Sequence, residues 1–275
     1  VKIIIVDNAS CNRTGEVLKE EYKNDKDIDV LMNSSNEGFA RGNNLGYRYA
    51  KEKYHPEFII VTNNDVIFFQ KEFTNLLEKE YEKNNFYILG PDVLDITKTK
   101  HHSPINDAGP TLYWAKFWLK CFKKYLFKAR IKNFLQNTGL LNISRRVLNK
   151  KEFIEEEKNF VMEETAYREG VVVHGCCIIA SRLFIEKQDW IFYPKTFLFN
   201  EEYILWEWCK YYNYCITYSP DLKIIHNEHA SLGTVGHNYK RQVFTWKNQV
   251  KSLKILIEVK KQFGEKCKLD KIAEK

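Results

Sequence analysis

The sequence predicts an α/β protein, a mostly parallel sheet with flanking helices, plus a basic amphipathic helical insertion and a C-terminal helix. Three observations carry that expectation. Short β-branched runs alternate with helix-like stretches through the first hundred residues, the pattern of βαβ units. Two of the runs, Ile3-Ile4-Ile5-Val6 and Phe58-Ile59-Ile60-Val61, are continuously apolar, as parallel strands covered on both faces are. The chain has 275 residues, 44% of them apolar, enough for one large core.

Taken in order, Lys2–Val6 reads as a strand, Gly15–Tyr22 as a helix and Ile28–Met32 as a second strand. A helical stretch near Phe39–Lys53 leads to a strand at Phe58–Val61, and another near Phe73–Lys83 leads to Tyr87–Leu89. The composition then changes. Between Thr111 and Lys151 stand eleven Lys or Arg residues and no acid. Within that stretch Trp114, Phe117, Trp118, Cys121, Phe122, Tyr125 and Leu126 recur at helical spacing among lysines, which predicts a basic amphipathic helix. The aromatic face, with two tryptophans and two phenylalanines, is expected on an anionic membrane surface, because so many unpaired charges cannot enter a core. The alternative is a helix packed on the catalytic domain with its lysines in solvent. An acidic segment, Glu152–Glu157, precedes a return to the core at Val171-Val172-Val173. Two strand-like pieces, Tyr214–Tyr218 and Leu222–His226, and a basic helix from Tyr239 to about Phe263 complete the chain.

Several classes are excluded. Aromatics at 15% and interspersed charges of both signs argue against global disorder. No run reaches the ~18 apolar residues of a spanning helix, and Val1–Asp7 does not read as a signal peptide. Seven cysteines, odd in number and without a C-x-x-C pair, argue against a disulfide framework or a cysteine zinc site and for a reducing compartment. Glycines at 38, 42 and 46 do not fit G-x-G-x-x-G, and no P-loop sequence occurs.

Polar residues gather where apolar strands stop. Asp7-Asn8-Ala9-Ser10 follows the first strand, and Thr62-Asn63-Asn64-Asp65 follows the strand near residue 60. In open α/β sheets ligands bind beyond the carboxyl ends of the strands, so two carboxylates at two such ends suit a nucleotide and its metal. Either acid alone equally suits a turn or a helix cap. Between them, residues 33–46 read as a loop entering a helix, with amide donors and Arg41 available to an anion.

Val-Asp-Asn-Ala-Ser at 6–10, Asn-Glu-Gly-Phe-Ala-Arg-Gly-Asn-Asn-Leu-Gly at 36–46 and Asn-Asn-Asp at 63–65 resemble the nucleotide-sugar half of family 2 glycosyltransferases of the GT-A fold. The rhamnosyl- and galactofuranosyltransferase-like branch is the most similar. His174-Gly175-Cys176-Cys177, Phe197-Leu198-Phe199-Asn200-Glu201-Glu202 and Ile225-His226-Asn227-Glu228-His229-Ala230-Ser231 follow in the matching order. The resemblance implies a transferase domain over 1–236. Residues 1–100 would form its nucleotide-sugar half, 111–151 a basic insertion and 171–236 its acceptor half, with 237–275 a basic helical segment.

The resemblance implies roles. Asp7 corresponds to the acid contacting the nucleoside, with Asn8, Asn36, Gly38 and Arg41 lining that pocket. Asn63-Asn64-Asp65 takes the place of the Asp-x-Asp motif that sets a divalent cation, Mn²⁺ or Mg²⁺, against the donor diphosphate. Asn63 stands where that motif has its first acid. Asp65 and His226 are the implied metal ligands, and Glu202 the general base of an inverting displacement. The family also has an earlier, central strand, and this chain opens on what corresponds to the second one. The expected donor is a UDP- or dTDP-sugar. The expected acceptor is a polysaccharide or lipid-linked glycan at the inner face of the cell membrane, served by a cytoplasmic, peripheral protein. The competing class is a basic binding module for anionic membranes or nucleic acid. The separation of aromatics onto one helical face argues against nucleic acid.

Overall fold

A computed structural model describes residues 1–138, 166–227 and 239–273 of the chain. The acidic segment Glu152–Glu157, the end of the basic insertion at 139–151, and Glu228 and His229 lie outside the described residues.

The first half alternates as its sequence predicts: β1 (Ile3–Asp7), α1 (Thr14–Glu21), β2 (Ile28–Met32), α2 (Gly38–Tyr54), β3 (Phe58–Thr62), β4 (Val66–Ile67), α3 (Phe73–Asn84) and β5 (Ile88–Leu94). Then follow α4 (Leu112–Asn137), β6 (Arg168–Glu169), β7 (Cys177–Ser181), α5 (Arg182–Ile185), α6 (Glu201–Tyr212), β8 (Ile216–His226) and α7 (Tyr239–Ala273). β1 and β2 pair in parallel as a two-stranded sheet. The larger sheet has the order β3-β7-β5-β8-β4, with β6 also pairing to β8. β5 and β8 are parallel, while β7 runs antiparallel to both β3 and β5. Helix α2 packs on β1 and on β3 and so joins the two sheets.

The continuous apolar run of β3 follows from burial on both faces of the larger sheet, although β3 pairs antiparallel with β7 where the sequence suggested a parallel strand. The Ile3–Val6 run lies in the two-stranded sheet, with Ile3 exposed. Ile59 and Val61 of β3, with Ile178 and Ala180 of β7, face the core that α2 covers through Ala40, Tyr47 and Ala50. Their neighbours Phe58, Ile60, Cys177 and Ile179 face the opposite core, against Phe73 and Leu77 of α3. Because successive side chains of a strand point to opposite faces, a strand in this position needs apolar residues throughout.

The two strand-like pieces after Tyr214 are one strand. The β5–β8 register passes from Pro91↔Ser219 to Asp92↔Lys223, so the residues between the two pieces are accommodated as a bulge.

A third core lies between α4, α6 and α7, where Ala115, Ile204, Leu253, Leu256 and Val259 are buried. Trp114, Trp118 and Phe122 pack against it, with Trp114 on Tyr203 and Phe122 on Trp246. This corrects the expected orientation of α4: its tryptophans face the protein, because α7 offers them an apolar surface alongside. Its other side is also apolar. Tyr113, Phe117, Phe127, Ile131 and Phe134 are exposed and recur at helical spacing between Lys120, Lys124 and Lys128.

Candidate active site

Strand pairing assembles the first part of the site. Val66 of β4 pairs with His226, the last residue of β8, and the Asn227 amide donates to the Asp65 carbonyl at 2.9 Å. These pairings bring His226 Nε2 to 3.2 Å from Asp65 Oδ1, with both side chains more than nine-tenths covered. On the other flank, the Asn63 amide donates to the Cys176 carbonyl at 2.9 Å, drawing the His174-Gly175-Cys176 turn to the end of β3. One ligand atom each of His174, Cys176 and His226 then lie within 4.8 Å of one another. The His174 ring stands 5.5 Å from that of His226 and 6.5 Å from that of His102. Burial, reinforced by the neighbouring imidazoles, pushes the His174 pKa down to about 3, so this ring is neutral at ordinary pH.

Glu202 closes the site. Its Oε2 lies against the same turn, 3.6 Å from where a Cβ on Gly175 would stand. The chain reaches it through a tight corner in which Phe199 (φ 76°) and Asn200 (φ 64°) are both left-handed. A bulky residue held there costs about 1–3 kcal/mol, so the surroundings must impose the conformation. They do so from α7: Ser252 Oγ donates to the Leu198 carbonyl at 2.6 Å, and Asn200 Nδ2 donates to Gln249 Oε1 at 3.1 Å. Burial raises the pKa of Glu202, making its carboxylate a stronger base than an exposed one. Glu201 is buried too, and burial with the adjacent Glu202 charge pushes it up to about 8.

The residues expected around the nucleoside converge at the end of β1. Asp7 is buried, and one of its oxygens accepts the Ser10 amide at 3.1 Å. Asn8 links the strand end to the following loop: its Nδ2 donates to the Gly38 carbonyl at 3.0 Å, and its Oδ1 accepts from Asn33 Nδ2 at 2.9 Å. Asn36 Oδ1 accepts the Gly38 amide at 2.9 Å. Gly38 has φ +83°, and a Cβ there would stand 2.4 Å from the Phe197 carbonyl, so glycine alone fits. That close approach, with the Phe39 amide donating to the Phe197 carbonyl at 2.7 Å, ties the start of α2 to the corner carrying Glu202. Arg41 is engaged, donating to the Pro194 carbonyl at 3.0 Å and to Glu37 at 3.2 Å. Asn64 is exposed beside Asp65.

Sequence reasoning missed three residues. His174 and Cys176 stand out in the sequence only as members of a motif, and Cys176 reads there as core packing. Its 2% exposure fits that reading, yet its thiol also faces the histidines. Asn44, inside α2, accepts the Ile191 and Phe192 amides at 3.0 Å and donates to the Phe192 carbonyl at 2.6 Å. It thereby fixes the segment leading to Glu202. A polar residue on the buried face of α2 was the available signal.

The chain belongs to glycosyltransferase family 2, whose profile matches residues 1–156. It is 27% identical over 107 residues to the low-salt glycan biosynthesis hexosyltransferase Agl10 of Haloferax volcanii, covering 39% of this chain and 32% of that one. It is 30% identical over 103 residues to the dTDP-rhamnosyl transferase RfbF of Shigella flexneri, covering 38% of this chain and 32% of that one. The chain thus spans about a third of the length of the curated relatives it matches.

Proposed function

We propose that this protein transfers a sugar, with inversion, from a UDP- or dTDP-sugar to a polysaccharide or lipid-linked acceptor in cell-surface glycan biosynthesis. The observation that carries the reading is that Glu202 and the Asp65–His226 pair both approach the His174–Cys176 turn. Family membership and the hexosyl- and rhamnosyltransferase relatives support it.

In this reading Asp7, Asn8, Asn36 and Gly38 shape the nucleoside end of the pocket, with Arg41 at its edge. Asn63, Asn64 and Asp65 lie along the diphosphate. The imidazole and carboxylate donors of His226 and Asp65 suit a divalent cation, and they would form its seat. Such a cation, when bound, offsets the charge developing on the leaving diphosphate. Glu202 accepts the proton of the acceptor hydroxyl as that oxygen attacks the anomeric carbon. The bond from that carbon to the diphosphate oxygen breaks, and the nucleoside diphosphate leaves with the electron pair. Attack opposite the leaving group inverts the anomeric centre.

The outer face of α4 supports docking on an anionic membrane at the inner face of the cell, beside a lipid-linked acceptor. Phe117, Phe127 and Phe134 are 50%, 66% and 64% exposed, interleaved with lysines, as an interfacial helix requires. Among the described residues no helix is long and apolar enough to cross a membrane.

Thermal unfolding with UDP or dTDP and Mn²⁺ tests the reading. A rise in Tm with either nucleotide, absent with single-stranded DNA, is expected. Stabilisation by DNA and by neither nucleotide would overturn it in favour of a basic binding module.

A further inference from the structure

We propose that His174, Cys176 and His226 form a binding site for a borderline-soft divalent cation, Zn²⁺ or Co²⁺, in preference to Mg²⁺. The inference rests on the reading of the Asp65–His226 corner as the cation's side of the donor pocket; it moves Asp65 from the ion to a place behind His226 and specifies which ion that pocket takes.

The donor set carries the argument. Two imidazole nitrogens and one thiol sulfur lie within 4.8 Å of one another, on a turn and a strand end that separate hydrogen bonds hold in place. Nitrogen and thiolate ligands suit zinc and its neighbours, whereas magnesium takes oxygen. Ions of this kind bind such ligands at about 2.0–2.3 Å in a tetrahedron, which places ligand atoms roughly 3.4–3.6 Å apart. The cluster therefore needs to contract by about 1 Å, within the reach of side-chain rotations around a bound ion.

The surroundings fit. Asp65 Oδ1 stands 3.2 Å from His226 Nε2, which sets a carboxylate beside the ring. A carboxylate behind a ligating histidine is a recurrent arrangement that orients the ring and strengthens it as a ligand. His174 Nδ1 accepts the Cys176 amide at 3.1 Å, so this ring turns out of that bond to ligate. Three protein ligands leave the fourth tetrahedral position open. A diphosphate oxygen entering there connects the ion to the donor.

The spacing in the sequence concealed this site. Only His174 and Cys176 are near neighbours, and His226 arrives through the β4–β8 pairing.

Titration of the metal-free full chain with Co²⁺, followed by absorption, tests the proposal. One equivalent is expected to give tetrahedral visible bands and a thiolate-to-cobalt charge-transfer band in the near ultraviolet. Zn²⁺ should abolish both, and a large excess of Mg²⁺ neither. Cys176→Ser should remove the charge-transfer band, and His174→Ala and Asp65→Ala should each weaken Co²⁺ binding by about 10–100-fold. Circular dichroism of each variant separates metal loss from misfolding, and His174, which is not fully buried, supplies a second variant if Cys176→Ser does not fold. No charge-transfer band, or one that a folded Cys176→Ser variant retains, overturns the site. Nucleotide stabilisation with Mn²⁺ but no cobalt–thiolate band sinks this inference and leaves the transfer reading standing. A band that depends on Cys176 without nucleotide binding under any metal supports the site and sinks the transfer reading.

Discussion

His226 Nε2 stands 3.2 Å from Asp65 Oδ1, a pair made by two strand ends that are remote in the sequence. Asp65 sits on the turn into β4 and His226 ends β8, so the β4–β8 pairing brings them together. Asp65→Ala leaves the β4–β8 backbone pairing intact and should preserve the fold. It should abolish the Mn²⁺-dependent rise in Tm with UDP or dTDP that the parent protein shows. If nucleotide stabilises the parent equally in EDTA and in Mn²⁺, the cation has no part in donor binding.

Asn44→Leu should destabilise the segment that carries Glu202. The substitution leaves the Ile191 and Phe192 amides without their buried acceptor. Each buried group left unsatisfied costs about 1–3 kcal/mol, so a loss of roughly 2–4 kcal/mol is expected in urea unfolding. An unchanged midpoint would show that this anchor is dispensable.

Glu201 makes stability pH-dependent. Its carboxyl is pushed from 4.5 to about 8 in the folded protein. Below about pH 4.5 it is protonated in both states. Between there and about pH 8 only the unfolded chain releases the proton, so folding stability contributed by this group falls as pH rises and levels off above. A tenfold difference in proton affinity between the two states corresponds to about 1.4 kcal/mol, so the decline is large enough to measure. Glu201→Gln should therefore flatten the decline in urea-unfolding stability between about pH 5 and about pH 8.5. A decline as steep as the parent's would locate the titration elsewhere.

Vesicle co-sedimentation distinguishes the two faces of α4. Replacing Phe117, Phe127 and Phe134 together by Ser should lower binding to anionic vesicles roughly 10–100-fold, since each removes partly buried apolar area. Binding should weaken with salt, as lysine attraction to anionic lipid does. Trp114→Ala and Trp118→Ala should lower Tm, because these rings pack on the third core. Pelleting with zwitterionic vesicles alone at the same level would contradict the electrostatic part.

Much of this was legible because the signals were local. Continuous apolar runs at 3–6 and 58–61 marked strands, and polar residues just beyond them marked the strand ends where the candidate site assembles. What escaped was non-local. The sequence placed His174 and Cys176 in a motif but could not bring them to His226, because the β3–β7 and β4–β8 pairings do that. Arg41 read as an anion donor, yet Glu37, one helical turn before it, takes part of its charge. Periodicity found α4 but not its orientation, since apolar residues occupy both faces and only the position of α7 decides which is buried. The sequence separated Tyr214–Tyr218 from Leu222–His226, where β8 is one strand carrying a bulge.

The central claim is that Glu202 serves as the base of an inverting sugar transfer, and product analysis tests it most directly. UDP- and dTDP-sugars are supplied with a lipid-linked acceptor extract, nucleoside diphosphate release is followed, and the anomeric configuration of the product is read by NMR. The expected product carries the anomeric configuration opposite to the donor's. Glu202→Gln should slow its formation about 10²–10⁴-fold with donor binding nearly unchanged. A product of retained configuration, or a Glu202→Gln variant that turns over at the parent rate, would contradict the account.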